Sequence, residues 1–388
     1  MVKHKSKKSI FIKALALYFF LTPFDFLPII EGVSISKILI FIPLAGLLTE
    51  IKSFGRIKTS SLYLLLYLGA ASATLLWTID FDSGVTRVVS LILNIGIIIL
   101  FASRKYSTDE VNYLFKSLAL SGWLLAIVCV IFADFTVMLG RLTVVVNGAY
   151  QDPNYLCGFF LFSICYYLNE FVVRKKIFGI ISVIVFFSII LLTGSRGGTL
   201  AALLVVFVFF YKAIASSRRA LLVILSSVLI VSVAIYFVWD YLPSEITIRF
   251  SQEFNEEDQG SNRLIIWESL WNHFKKSDIL TQIFGNGVAT VGHYAAFQQV
   301  AHNILIEALV EMGILGMIAI FIMYLYYGVK SFSNELLFPP FVGYMSMCMT
   351  LSLYSYKPIW NILLLIIIGA FCFSKKHTDT ETLILCKA

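Results

Sequence analysis

Residues 240–301 read DYLPSEITIRFSQEFNEEDQGSNRLIIWESLWNHFKKSDILTQIFGNGVATVGHYAAFQQVA, the one long polar interruption in a sequence that otherwise runs from apolar segment to apolar segment. Around it lie 388 residues that are 59% hydrophobic and 14% charged, with mean hydropathy +0.87. That is too little polar surface to cover a soluble globule of this size. The composition predicts an all-α, polytopic integral membrane protein: one membrane domain over 1–388, a bundle of helices with a large extracytoplasmic loop at 240–301. The 34 Phe and 19 Tyr suit helices in lipid with aromatic side chains at the interfaces.

Taken as apolar runs of about 17 to 25 residues, the spans fall near 10–30, 35–50, 60–78, 84–102, 111–133 and 155–171. A second set falls near 177–193, 198–214, 220–239, 303–327, 336–355 and 359–374, which makes twelve. The basic start resembles a signal peptide, but its apolar run is as long as a span and has no small-residue cleavage site before Pro23, so it reads as a retained helix. With the N-terminus inside, 21 of the 30 basic residues fall on the cytoplasmic side. The nine outside are Lys37, Arg87, Arg141, Arg196, Arg249, Arg263, Lys275, Lys276 and Lys357. The same distribution removes nucleic acid as a reading of the net charge of +7. The six Cys lie in apolar spans or the tail without a C-x-x-C pair, so neither a disulfide framework nor a zinc site is indicated.

Within the loop, 253–260 is acidic and turn-rich. Ser261 or Asn262 then caps a helix in which Leu264, Trp267, Leu270, Trp271 and Phe274 recur at helical spacing. Such a face fits either the bilayer surface or the other spans. Gly285-Asn286-Gly287 follows as a tight turn. No internal repeat relates two halves of the chain, as a transporter built from two six-span repeats would show.

Four short motifs flank these elements. Asp152-Pro153-Asn154 is explained by an Asp N-cap with Pro at the first helical position. In Thr193-Gly194-Ser195-Arg196-Gly197-Gly198, an Arg stands at the mouth of a helix whose backbone N–H groups favour an anion such as phosphate; an interfacial Arg beside a Gly turn is the alternative. Arg263 heads the loop helix, where a cation opposes the helix dipole, so a pyrophosphate contact or an ion pair with Glu257 or Asp258 must account for it. His302 opens the tenth run, where the helix N-terminus and partial burial favour a neutral imidazole, the form a general base requires; a capping His is the alternative. Glu307 and Glu311 follow one and two turns on, and carboxylates that deep in a span are functional candidates.

These motifs, in this order, with Trp267, Phe284-Gly285-Asn286-Gly287, His302-Asn303, Glu307, Glu311, Gly313 and Gly316, resemble the O-antigen ligase and O-antigen polymerase superfamily over about 150–320. The resemblance implies a glycosyltransferase acting outside the cytoplasmic membrane on sugars carried by a polyprenyl pyrophosphate, with no nucleotide sugar, cofactor or metal. It implies that Arg196 and Arg263 hold the pyrophosphate and that His302 deprotonates or positions the acceptor hydroxyl. Asp152, Asn154, Asn303 and Glu307 join them as expected substrate-binding residues. Expected partners are the lipid-linked oligosaccharide, membrane lipids and a chain-length regulator.

Polymerase and ligase differ in acceptor, another lipid-linked repeat unit against the lipid A core. The loop favours the polymerase: Arg249, Arg263, Lys275 and Lys276 are outnumbered by Asp240, Glu245, Glu253, Glu256, Glu257, Asp258, Glu268 and Asp278, which would repel a phosphorylated core. A lipid-linked sugar flippase is the alternative of another class, since ionisable residues such as Lys116 in a span would serve a translocation path.

Overall fold

The computed structural model describes residues 8–30, 33–50, 55–138, 140–216, 244–249, 251, 261–352 and 354–374. The expected span at 220–239, the acidic stretch at 253–260 and the charged ends at 1–7 and 375–388 lie outside these residues. The first half of the chain forms α1 (Ile10–Leu21), β1 (Pro28–Ile30), β2 (Val33–Ser34), α2 (Ile35–Leu39), α3 (Phe41–Leu48), α4 (Ser60–Thr74), α5 (Phe81–Ala102) and α6 (Thr108–Ile131). Then come β3 (Ala133–Asp134), β4 (Thr143–Val146), β5 (Ala149–Gln151), α7 (Pro153–Val172), α8 (Ile177–Leu192) and α9 (Arg196–Ser216). After them follow α10 (Ser244–Arg249), α11 (Arg263–Lys276), α12 (Ile279–Phe284), α13 (Val291–Tyr294), α14 (Ile304–Ser331), α15 (Phe338–Cys348) and α16 (Lys357–Ser374).

The protein is mostly helical, and among the described residues five helices are long and apolar enough to cross a membrane: α5, α6, α7, α9 over Arg196–Ala213, and α14. Among the described residues the shorter apolar helices are Lys37–Leu48, Ser60–Thr74, Ile177–Leu192 and Lys357–Gly369, so the count of twelve is not established. The run expected at 10–30 stops as α1 at Leu21, where Thr22-Pro23 opens a 3₁₀ turn, and 35–50 divides into α2 and α3. Several helix starts carry side-chain caps, whereas at α11 the N-cap Asn262 stands at φ 61° with no side-chain cap hydrogen bond. Ser107 and Glu110 form a reciprocal capping box at α6, Asp152 caps α7, and the Asn303 Oδ1 accepts from Leu305 N and Ile306 N at 3.0 and 3.2 Å to start α14.

The three-stranded antiparallel sheet β3-β4-β5 corrects the all-α expectation. Its cause is legible after the fact: Thr143-Val144-Val145-Val146 is a β-branched run, and Asn147-Gly148, both at positive φ, make the two-residue hairpin turn that pairs Val146 with Ala149. This hairpin ends at Gln151 and so delivers the chain to the α7 cap.

The second departure is a break in α14 at Gly313, whose φ of 66° and ψ of −168° are not helical. The break leaves the Val310 and Glu311 carbonyls without their helical partners, and the loop supplies others: Asn286 N donates to Val310 O and Gly287 N to Glu311 O, each at 2.9 Å. Gly285 and Gly313 both lie in a backbone region that only glycine enters readily. A Cβ on Gly285 would sit 2.3 Å from Glu311 O, and one on Gly313 2.3 Å from Ile283 O. Trp77 Nε1 and Thr78 Oγ1 close the other side on Gly285 O and Val288 O at 3.1 and 2.8 Å. The turn expected at 285–287 is thus a plug that seats the loop in a broken helix.

Helix α11 packs through Ile266 and Leu270 against Val291, Ala295, Ala301 and Val310, a second small core beside the main one. Leu264 and Trp271, on the same expected apolar face, are 57% and 50% exposed.

Candidate active site

The N-termini of α7, α9, α11 and α14 come together at one pole, and hydrogen bonds between loops hold them there. The Asn154 Oδ1 accepts from Ser195 Oγ and from Arg141 Nη2, both at 2.9 Å. Arg141 Nε donates to Thr193 O at 2.8 Å, so one buried guanidinium crosslinks the turns before α7 and α9. Arg249, at the end of α10, donates from Nε to Gly194 O at 3.1 Å. Arg196 reaches across to the loop helix, its Nη2 donating to Ser261 Oγ at 3.3 Å. Trp267 Nε1 donates to Ala301 O at 2.7 Å, tying α11 to the residue before His302.

Like charges accumulate here against their mutual repulsion. Burial pushes Arg141 down to about 10, and Arg249 and Arg196 add to that effect while Asp152 and the Cys157 side chain oppose it. A guanidinium so placed is still charged at neutral pH. Arg263 lies in the electrostatic neighbourhood of His302, as do Glu307 and Asp152. The positive ends of α7, α9 and α14 lie at the same pole as these four guanidiniums.

His302 sits at φ 50°, an uncommon conformation for a residue other than glycine, and its buried Nδ1 has no hydrogen-bond partner. Burial, then Arg263, hold it below the usual histidine value against the pull of Glu307 and Asp152. The imidazole is therefore neutral at pH 7, with an unengaged nitrogen. That is the state needed to accept a proton.

Of the residues expected from the sequence, Arg196, Arg263, His302, Asp152 and Asn154 meet at this pole. Asn303 is committed to backbone, its Oδ1 capping α14 and its Nδ2 donating to Met349 O at 3.4 Å. Asp152 Oδ1 is likewise a cap, accepting from Asn154 N at 2.7 Å. Glu307 is turned inward, accepting from Arg87 Nη1 at 2.9 Å and from Ser352 Oγ at 2.5 Å. The ion pairs expected for Arg263 with Glu257 or Asp258 fall outside the described residues. The sequence reading missed Arg141 and Arg249 as site residues, although both stood among the nine basic residues assigned to the outer side.

A mainly apolar groove of about 390 Å³ lies between α11 and α14, lined by Trp267, Leu270 and Trp271 with Glu268 on α11 and by Ile306, Leu309 and Val310 on α14. Trp267 lies one helical turn beyond Arg263 on α11, and Ile306 stands in the first turn of α14, four residues after His302.

No curated protein sequence matches the chain. A solved structure described as "Structural coordination of polymerization and crosslinking by a peptidoglycan synthase complex" aligns over 82% of this chain and 98% of that chain, at 17% identity and a TM-score of 0.48. Residues 180–321 match the family model described as O-antigen ligase, a segment that includes Arg196, Arg249, Arg263, His302, Glu307 and Glu311. Over that segment the chain is similar to the O-antigen ligase/polymerase-like superfamily.

Proposed function

We propose that the protein is a polymerase of lipid-linked oligosaccharide repeat units in the cytoplasmic membrane, with its site on the extracytoplasmic face. The acceptor hydroxyl oxygen attacks the anomeric carbon of the donor sugar, and the bond from that carbon to the pyrophosphate oxygen breaks. The polyprenyl pyrophosphate leaves with the bonding electron pair, and the hydroxyl proton passes to His302. The observation that carries this reading is the meeting of Arg141, Arg196, Arg249 and Arg263 with a neutral His302 beside an apolar groove.

Each part has its physical use. Departure of the pyrophosphate builds negative charge on the leaving oxygens, which fixed guanidiniums stabilise more in the transition state than in the ground state. The groove offers the first isoprene units of the donor an apolar bed continuous with the membrane. Asp152, Asn154 and Asn303 shape the pole and hold its helix starts in place. The acceptor is read from charge: once Arg249 and Arg263 are assigned to the site, the rest of the loop carries eight carboxyl residues against Lys275 and Lys276. Such a surface suits an uncharged glycan better than a phosphorylated lipid A core.

The glycan profile of a strain lacking the protein tests this. Single repeat units on the core are expected, the mark of a lost polymerase. Bare core with accumulated lipid-linked polymer would mean a ligase, and unpolymerised units retained on the cytoplasmic leaflet would mean a flippase.

A further inference from the structure

Arg87 lies in the first turns of α5, inside a helix that is otherwise apolar, and its side chain is only 11% exposed. A cation in a candidate span needs a partner, and Arg87 has two. Its Nη1 donates to Glu307 Oε1 at 2.9 Å and to Glu311 Oε2 at 2.5 Å, and the Tyr354 ring covers its other side at 4.2 Å from centroid to Cζ. Both carboxylates are more than nine-tenths buried.

Three segments near the pole are tied to this cluster. Glu307 and Glu311 lie on the half of α14 that runs from the His302 end to the break at Gly313. Glu311 Oε1 accepts from Val291 N at 3.3 Å, in the loop seated against that break. Glu307 Oε2 accepts from Ser352 Oγ, and Ser352 O accepts from Tyr155 OH at 3.0 Å, one turn into α7. A half-helix cut off from its continuation needs an anchor to hold its first residue still. Arg87 supplies one from a neighbouring helix.

The same contact controls charge. His302 faces Arg263, Glu307 and Asp152. Glu307 in turn faces Arg87, Glu311, Ser352 and the phenols of Tyr67 and Tyr155, with Tyr354 over the guanidinium. We infer that Arg87 is a positioning residue for His302, fixing the half-helix that begins at the imidazole and offsetting the negative charge that Glu307 presents to it. This rests on the reading of His302 as the base and assigns Arg87 and Glu311 a part in it.

Two substitutions with opposite electrostatic signs test the inference on one readout, the acid limb of kcat/KM for the purified full-length protein in lipid vesicles. Glu307→Gln removes a negative charge that stabilises the imidazolium, so the limb should move to lower pH, by on the order of 0.5 to 1 unit. Arg87→Gln leaves Glu307 without its cation, so the limb should move to higher pH by a similar amount. Arg87→Lys, which keeps the charge, should leave the limb close to wild type while lowering kcat more than it changes KM. If Arg87→Gln does not accumulate, Glu307→Gln and Arg87→Lys carry the test: a limb unmoved in Glu307→Gln, or moved in Arg87→Lys, would overturn the inference. Limbs that stay in place, or that move the same way in Glu307→Gln and Arg87→Gln, would mean that the cluster only supports the fold, and the inference would be wrong. A limb that persists in His302→Ala would instead overturn the base assignment itself.

Discussion

His302→Ala is expected to lower turnover by roughly a hundredfold to ten-thousandfold while donor binding stays near wild type, the usual size of a lost general base. The geometry separates the two functions. On the proposed reading, donor affinity comes from guanidiniums on other segments, Arg196 at the start of α9 and Arg263 at the start of α11. On the same reading, proton acceptance comes from His302, whose buried Nδ1 has no hydrogen-bond partner. The pH dependence follows from the direction of its shift: burial and Arg263 hold His302 below the ordinary histidine value of about 6.5, so it is neutral at pH 7. As the pH falls through that lowered value the imidazolium forms and wild-type turnover should fall with it. The variant should lack this acid limb. Loss of donor binding in His302→Ala with an unchanged pH profile would make the residue a ligand or a helix start.

Arg196→Lys is expected to cost about tenfold to a hundredfold in turnover although the charge is kept. A guanidinium holds two phosphate oxygens at once and an ammonium does not, and losing one such charged contact costs about 1.5 to 3 kcal/mol. That loss converts to the stated range of rates. Arg196 also reaches the loop through Ser261, so the lysine variant should loosen α11 as well, and Arg263→Lys should show a comparable deficit. Wild-type turnover in Arg196→Lys would reduce this arginine to an interfacial side chain reaching for water. A weak His302→Ala effect beside severe arginine effects would shift the mechanism toward activation of the donor alone.

Much of the framework was legible in the sequence because its signals are local. A cap such as Asp152 acts within three residues, and apolar runs of span length announce α5, α6, α7, α9 and α14. The Val145-Val146-Asn147-Gly148 hairpin was equally local, but it lies between the runs expected at 111–133 and 155–171, where no element was assigned. What was not legible depends on distant segments meeting. Glu307 and Glu311 stood out as carboxylates in a span, but nothing local pairs them with Arg87, 220 and 224 residues away. Gly313 reads as an ordinary helix glycine until the loop carbonyls and amides at 283–287 are found against it. Arg141 and Arg249 carried no motif. Their meaning comes from the turns at Thr193 and Gly194 on which both converge.

The central claim is that the protein makes glycosidic bonds from a polyprenyl pyrophosphate donor. The direct measurement supplies purified protein in lipid vesicles with a labelled polyprenyl pyrophosphate-linked repeat unit and follows glycan length and free polyprenyl pyrophosphate together. Labelled glycan should lengthen in steps of one repeat as polyprenyl pyrophosphate is released in equal amount, and both signals should collapse in His302→Ala. Label that crosses the bilayer at constant glycan length, with no polyprenyl pyrophosphate released, would contradict the account.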